Sequence, residues 1–352
     1  FAIQNGINYF DTAWMYHGGN SETAMGEVLK AYPRESFYLA TKYPSFSPEQ
    51  FENPAEIFEK QLSKCQVDYF DFYLLHNVCE TNIDLFLNSG VVSYLLEQKK
   101  LGRIKHLGFS THGSIPTMEK FLDYCGEHME FCQIQLNYLD WTLQRAEEKV
   151  ALLNRRGMPI WVMEPVRGGK LCKLSQASED SLRTLRPEDS SAAWGFRFLE
   201  DIPGVTVVLS GMSDMAQLED NLHTYDKPDP LTGEERNKLL RIAERLKDSI
   251  PCTGCKYCTP QCPMGLDIPK LLATYNELRI APSTNAAMWL EFAPAEQQPT
   301  ACVGCGACAA ACPQGIDIPE MLADLAKRLE AIPKWRDICI ERAEAARRLA
   351  GK

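Results

Sequence analysis

The chain has 352 residues, a formal charge of -10, and 45% hydrophobic against 24% charged residues, the balance of a soluble globular protein. The length suits a barrel-sized domain plus a smaller one. The acidic charge disfavours nucleic acid or anionic lipid as a partner and admits a basic protein or a neutral small substrate. No run of about 18 apolar residues is present to span a membrane. No basic n-region with an apolar h-region opens the chain, which starts at Phe1 in what reads as mid-helix.

In chain order, short apolar runs lie at 7–13, 36–43, 69–76, 104–111, 131–138, 159–166 and 205–212. Between them stand amphipathic stretches such as "SETAMGEVLKAY", "PAEIFEKQLSKC", "VVSYLLEQKKLG" and "AEEKVALLNRRG", the last two ending at Gly102 and Gly157 as helix stops. Continuous apolar strands separated by helices predict a parallel sheet. Seven strand–helix units before residue 230 come close to the eight of a TIM (β/α)8 barrel, with the first unit expected to be absent from this chain. An open doubly wound sheet would want a G-x-G-x-x-G turn, and none occurs. The fold expected is therefore α/β: a barrel over 1–248, closed by the helix "EERNKLLRIAERLKD", then a small α-rich cysteine domain over 249–352 ending in a helical tail, "ERAEAARRLAGK".

Eight of the fourteen cysteines fall in two tight groups: Cys252, Cys255, Cys258 and Cys262, then Cys302, Cys305, Cys308 and Cys312. Each group is followed by proline, and "CPMGLDIPKLLA" returns as "CPQGIDIPEMLA" at an offset of 50 residues, so this domain is internally duplicated. Each copy should end in a helix opened near its first turn by Pro269 or Pro319. Clustered thiols read as metal ligands in a reducing compartment, which places the protein in the cytoplasm. The scattered Cys65, Cys79, Cys125, Cys132, Cys172 and Cys339 read as ordinary thiols. Two structural zinc sites would also favour four thiolates and C-x2-C spacing. Zinc leaves the third close cysteine and the repeated C-P without a reason. The pattern resembles the bacterial two-cluster ferredoxin domain. That resemblance implies two [4Fe–4S] clusters, one held by Cys252, Cys255, Cys258 and Cys312, the other by Cys302, Cys305, Cys308 and Cys262.

Chemistry in a barrel sits at the C-terminal ends of its strands. Those ends carry Asp11, Tyr16, Lys42 and His76. Buried Asp and Lys should pair, because an isolated buried charge costs several kcal/mol. A cation close to a tyrosine lowers its usual pKa of about 10 and makes the phenol a proton donor and acceptor near neutral pH.

The motifs "FDTAWMYHGGNSE", "LATK" and "YLLH" resemble those of the aldo-keto reductases, and with the cysteine domain the chain resembles the subfamily bearing a C-terminal ferredoxin-type domain. The resemblance implies Tyr16 as general acid, Lys42 as the residue lowering its pKa, Asp11 as partner of Lys42, and His76 as the group orienting the carbonyl. It also implies an NADP or NAD site. Ser110 and Gln133 would bind the carboxamide, while Thr111 stands where the family usually has Asn. Met163 replaces the usual stacking aromatic. Glu164, Pro165, Val166 and Arg167 would line the pyrophosphate, with Arg167 on a phosphate or a substrate carboxylate. Gly211 and Ser213 would open the adenosine segment, Gln217 and Asp220 face the ribose, and Asn221 reach the adenine. No Lys or Arg lies in 210–221, where a 2'-phosphate would want one, so NADH fits as well as NADPH. The plain alternative for this segment is a helix cap made by Ser213 and Asp214.

The expected function is carbonyl reduction or alcohol oxidation on a small molecule. The clusters would be structural or would exchange electrons, with a redox protein as a further partner. The competing reading is an electron carrier whose barrel is a scaffold. "YHGGNSE" and His112 are expected to border the substrate pocket, the first alternatively as a glycine turn capping a helix through Ser21.

Overall fold

The computed structural model describes residues 1–45, 48–246, 250–280, 287, 289–291 and 293–334. Two compact units divide at 243/244, inside the helix Gly233–Leu246. Among the described residues no helix is long and apolar enough to cross a membrane. Cys339 and the expected tail at 341–352 lie outside the described residues.

The first unit is built on seven strands: β1 (Tyr9–Asp11), β2 (Tyr38–Tyr43), β3 (Phe70–Leu75), β4 (Ile104–Thr111), β5 (Cys132–Gln135), β6 (Ile160–Met163) and β7 (Val205–Val208). All pairings are parallel and the strand order is 1 to 7 without reversal. Each strand lies beside its predecessor, which is barrel winding; a doubly wound sheet would reverse its order at a switch point. The observed strands lie inside the seven predicted runs. Six runs extend beyond their strands; in the run at 131–138 the extra residues Leu136 and Tyr138 are apolar and buried past the end of β5.

Helices fall between the strands as the periodicity requires. Helix Pro54–Cys65 starts with Pro54 in its first turn and Asn53 as N-cap, the Asn53 side chain accepting from Glu56 N. Gly102 and Gly157, at φ 78° and 64°, end the helices before β4 and β6. Helix Ser21–Leu29 departs from the expected cap: Asn20 occupies the N-cap, and the Ser21 hydroxyl instead accepts from Thr12 Oγ1 at 2.8 Å.

Register fixes which side chains share a face. Asp11 pairs with Ala40, and Lys42 lies two residues further along β2. Lys42 pairs with Leu74, and His76 lies two residues beyond it. The same stepping continues from Leu74 to Gly108, thence to Ser110, Gln133, Trp161 and Met163. Asp11, Lys42, His76, Ser110, Gln133 and Met163 therefore sit on one face of the sheet. Below them on that face pack Tyr9, Ala40, Phe72, Leu74, Phe131, Trp161 and Val207. Gly108 admits the Phe131 ring here, since a Cβ at Gly108 would stand 2.6 Å from it.

The second unit repeats itself in space as in sequence. Helices Ile268–Ile280 and Ile318–Glu330 begin one residue before Pro269 and Pro319. Leu266, Ile268, Leu272 and Tyr275 share one core with their counterparts Ile316, Ile318, Leu322 and Leu325.

Candidate active site and iron–sulfur sites

Lys42 Nζ donates to Asp11 Oδ1 at 2.5 Å and to Thr12 O at 2.8 Å, and its side chain is 0% exposed. The ammonium stands 4.7 Å from the centre of the Tyr16 ring. The Tyr16 ring meets His76 edge-on, with centroids 5.9 Å apart. Tyr16 opens a one-turn helix, Tyr16–Gly19, directly after β1. The four residues thus come together from the first three strand ends. Burial raises the Asp11 carboxyl pKa and Lys42 opposes that rise. Burial, aided by Lys42 and His112, pushes His76 well below its ordinary value, so its imidazole is neutral at pH 7.

A buried network behind Lys42 fixes its strand. Glu22, 0% exposed, accepts from Thr41 Oγ1 at 2.8 Å and from Gln61 Nε2 at 2.6 Å, and Gln61 Nε2 also donates to Lys42 O at 3.0 Å. Sequence reasoning missed Glu22 and Gln61. A glutamate at the buried start of helix Ser21–Leu29 was the available signal.

Gln133 and Met163 meet, Nε2 to Sδ at 3.6 Å, while the buried Gln133 Oε1 has no hydrogen-bond partner among the described residues. Ser110 Oγ accepts from Asn77 N at 2.9 Å and keeps its own hydrogen to donate. An unused amide acceptor and a hydroxyl beside it suit a carboxamide. The Thr111 hydroxyl is occupied, donating to Val78 O and accepting from Gly113 N. His112 beside it is half-buried, its pKa pushed to about 4 by burial and by Lys149.

The turn after β6 departs from expectation at Arg167. Its guanidinium is 1% exposed and its Nε donates to Asp140 Oδ2 at 3.0 Å, so it points inward and not at a phosphate. Asp140 Oδ2 also accepts from Gln135 Nε2 and Asn137 Nδ2, each at 2.7 Å. A buried carboxylate needs a cation, and Arg167 supplies it. Glu164, at φ 58°, hangs from the same turn as Pro165 and Val166. Burial raises its carboxyl to about 7, Arg167 opposing and Asp140 adding, and Oε2 has no partner among the described residues.

In the segment after β7, Asp214 is the N-cap of helix Met215–Asp226. Gln217 folds back on that cap, its Oε1 accepting from Ser213 N at 2.8 Å and its Nε2 donating to Asp214 at 2.9 Å. Asp220 accepts from Ser190 Oγ, and Asn221 Nδ2 donates to Ser210 Oγ at 3.0 Å. Gly211, Ser213 and Gln217 are exposed, whereas Asn221 is buried.

In the second unit two hollows are each lined by four cysteines. Cys252, Cys255, Cys258 and Cys312 line one, and Cys262, Cys302, Cys305 and Cys308 the other. The fourth cysteine of each run therefore crosses to the other set. Burial, with Cys255, Cys252 and Cys312 adding, pushes the Cys258 thiol up to about 12. Only a strong cation would hold such a set as thiolates. Four sulfurs around tetrahedral zinc at ~2.3 Å would stand roughly 3.8 Å apart. Among the described residues no three His, Cys, Asp or Glu are gathered closely enough for a single ion.

Residues 1–244 match the aldo/keto reductase family. The chain belongs to that family. Residues 251–316 match the 4Fe-4S dicluster domain, so in this aldo/keto reductase an iron–sulfur domain follows the reductase domain in sequence. It is 27% identical over 271 residues to the oxidoreductase YqkF of Bacillus subtilis, covering 68% of this chain and 84% of that one. It is 28% identical to the NADH-specific methylglyoxal reductase of Escherichia coli over 47% of this chain and 54% of that one, about half the relative's length. Among solved structures, the holo form of the aldo-keto reductase AKR11C1 from Bacillus halodurans superposes with a TM-score of 0.54 at 26% identity, covering 68% and 83%. An aldo/keto reductase from Klebsiella pneumoniae in complex with NADP and acetate shares the fold, with a TM-score of 0.58 at 22% identity over 69% and 82%.

Proposed function

We propose that this aldo/keto reductase uses NADH or NADPH to reduce a small carbonyl compound, or oxidises the corresponding alcohol, at Tyr16, and that its two cysteine sets hold two [4Fe–4S] clusters. The observation that carries the reading is the convergence of a buried Lys42–Asp11 pair, the Tyr16 ring and a neutral His76 at adjacent strand ends. A scaffold has no need of that assembly.

When bound, the nicotinamide supplies or accepts a hydride. The protein's residues do the rest. The Lys42 ammonium, fixed by Asp11 and Thr12 O, favours the ionised form of the phenol, so Tyr16 can give a proton to the carbonyl oxygen and recover it near neutral pH. Neutral His76 donates a hydrogen bond to that same oxygen without adding charge. Ser110 and Gln133 would hold the carboxamide, Met163 would offer its thioether to the nicotinamide ring, and the turn Glu164–Arg167 would take the diphosphate through its backbone. Gly211, Ser213, Gln217, Asp220 and Asn221 form the adenosine side. Ser213 and Gln217, being exposed, can exchange their mutual hydrogen bond for bonds to a ribose. The absence of Lys and Arg from 210–221 supports NADH at least equally with NADPH. The thiolate sets call for a reducing compartment, the cytoplasm, and a one-electron redox protein is the partner that clusters would serve.

Tyr16→Phe tests the reading, with methylglyoxal as probe carbonyl because one relative is named for reducing it. Dinucleotide-dependent turnover should fall by a factor of about 10²–10⁴ with dinucleotide affinity kept. Unchanged turnover would remove Tyr16 from the chemistry.

A further inference from the structure

The internal duplication supplies a control for each cysteine set. At an offset of 50 residues the backbone repeats closely: Gly254 and Gly304 have φ 76° and 67°, and Gly265 and Gly315 have 65° and 62°. The walls of the two hollows do not repeat. Thr253, Lys256 and Gln314 line the hollow of Cys252, Cys255, Cys258 and Cys312. At the corresponding positions around Cys302, Cys305, Cys308 and Cys262 stand Val303, Gly306 and Met264. At these three positions one lining has a threonine, a lysine and a glutamine, and the other has a valine, a glycine and a methionine.

Two hydroxyls add to the contrast. Thr253, buried, lines the first hollow and carries a hydroxyl. The Thr259 hydroxyl, next in sequence to Cys258, is buried and has no partner among the described residues. Their counterparts are Val303 and Ala309, which have no side-chain donor. Lys256 also holds φ 65°, a left-handed conformation that its counterpart Gly306 adopts freely at 77°.

Reduction adds one negative charge to an iron–sulfur cluster. A nearby cation and hydrogen bonds to its sulfurs stabilise the reduced form and raise its potential. Resting on the two-cluster reading above, we propose that the two sites are unequal. The cluster held by Cys252, Cys255, Cys258 and Cys312 has the higher reduction potential, and a single electron entering this unit comes to rest there. A one-electron donor is oxidised, that cluster is reduced by one electron, and no bond or proton changes hands. The other site fills second and is the stronger reductant.

The test uses the full chain, purified anaerobically, with iron and sulfide assayed first. Potentiometric titration with dithionite and mediators, followed by electron paramagnetic resonance, should give two separate one-electron waves. Lys256→Gln should lower the upper wave, and Lys256→Glu should lower it further. The charge reversal should shift the electron-exchange equilibrium between the sites about tenfold, or about 59 mV. Thr253→Val should also lower the upper wave, and Lys256→Gly, which takes the backbone of the other copy, should match Lys256→Gln. The lower wave should stay in place throughout. Coincident waves in fully loaded wild-type protein, or variants that move the lower wave or neither, would overturn the proposal alone. Iron and sulfide for a single cluster would overturn the two-cluster reading and the proposal with it.

Discussion

Lys42→Met removes the cation from a pair whose side chains are 0% and 14% exposed and whose charged atoms are 2.5 Å apart. At an effective dielectric of about 20 their gross attraction is 332/(20 × 2.5), about 7 kcal/mol. Much of that offsets the cost of desolvating the two ions, and breaking such a pair typically costs about 3–5 kcal/mol because a charge is left buried alone. Urea unfolding followed by tryptophan fluorescence should show a loss of that size at pH 7. Asp11→Asn in the same chain should restore at least half of it, since no unpaired charge is then left. The deficit should also depend on pH. Burial raises the Asp11 carboxyl pKa and Lys42 opposes the rise, so without Lys42 the folded-state value climbs further above the unfolded one. Across that window the native state holds a proton that the unfolded state has released, and stability falls as pH rises. The deficit is therefore smallest near pH 4 and largest near pH 7. A single-variant cost below about 1 kcal/mol, or a double variant no more stable than the single, would refute the reasoning.

Glu164, raised to about 7 by burial, sits on the turn assigned to the diphosphate. Dinucleotide affinity should weaken as pH rises through 7 and this carboxyl becomes charged, and Glu164→Gln should flatten the profile in fluorescence titrations. Gly108→Ala places a Cβ 2.6 Å from the Phe131 ring and backbone oxygen. It should destabilise the barrel by about 1–3 kcal/mol through overpacking, read as a lowered thermal midpoint.

Much of the site was legible because parallel register turns sequence into geometry. Once seven apolar runs become consecutive strands, the steps from Asp11 to Lys42 to His76 place those residues on one face. The same steps carry on to Ser110, Gln133 and Met163. The resemblance to the two-cluster ferredoxin domain implied two crossed cysteine sets, and the same two sets line the two hollows. Arg167 was misread because its partner lies 27 residues earlier: an arginine in a Gly-rich turn looks like an anion contact until Asp140 is seen buried beneath it. The hydrogen bonds of Asp220 to Ser190 and of Asn221 to Ser210 were not legible either, since neither serine is a neighbour in sequence. Glu22 and Gln61 escaped notice because polar residues on helices default to solvent, and only packing shows that they are 0% exposed.

The central claim is that a hydride reaches a carbonyl at the Tyr16 site. The most direct measurement supplies NADH or NADPH deuterated at the transferring position of the nicotinamide, with methylglyoxal as the probe carbonyl, under anaerobic conditions. Deuterium in the alcohol product, formed by the wild type and formed slower by a factor of about 10²–10⁴ with Tyr16→Phe, is the result the account predicts. Consumption of the dinucleotide with bleaching of cluster absorbance and no deuterium in any product would contradict it.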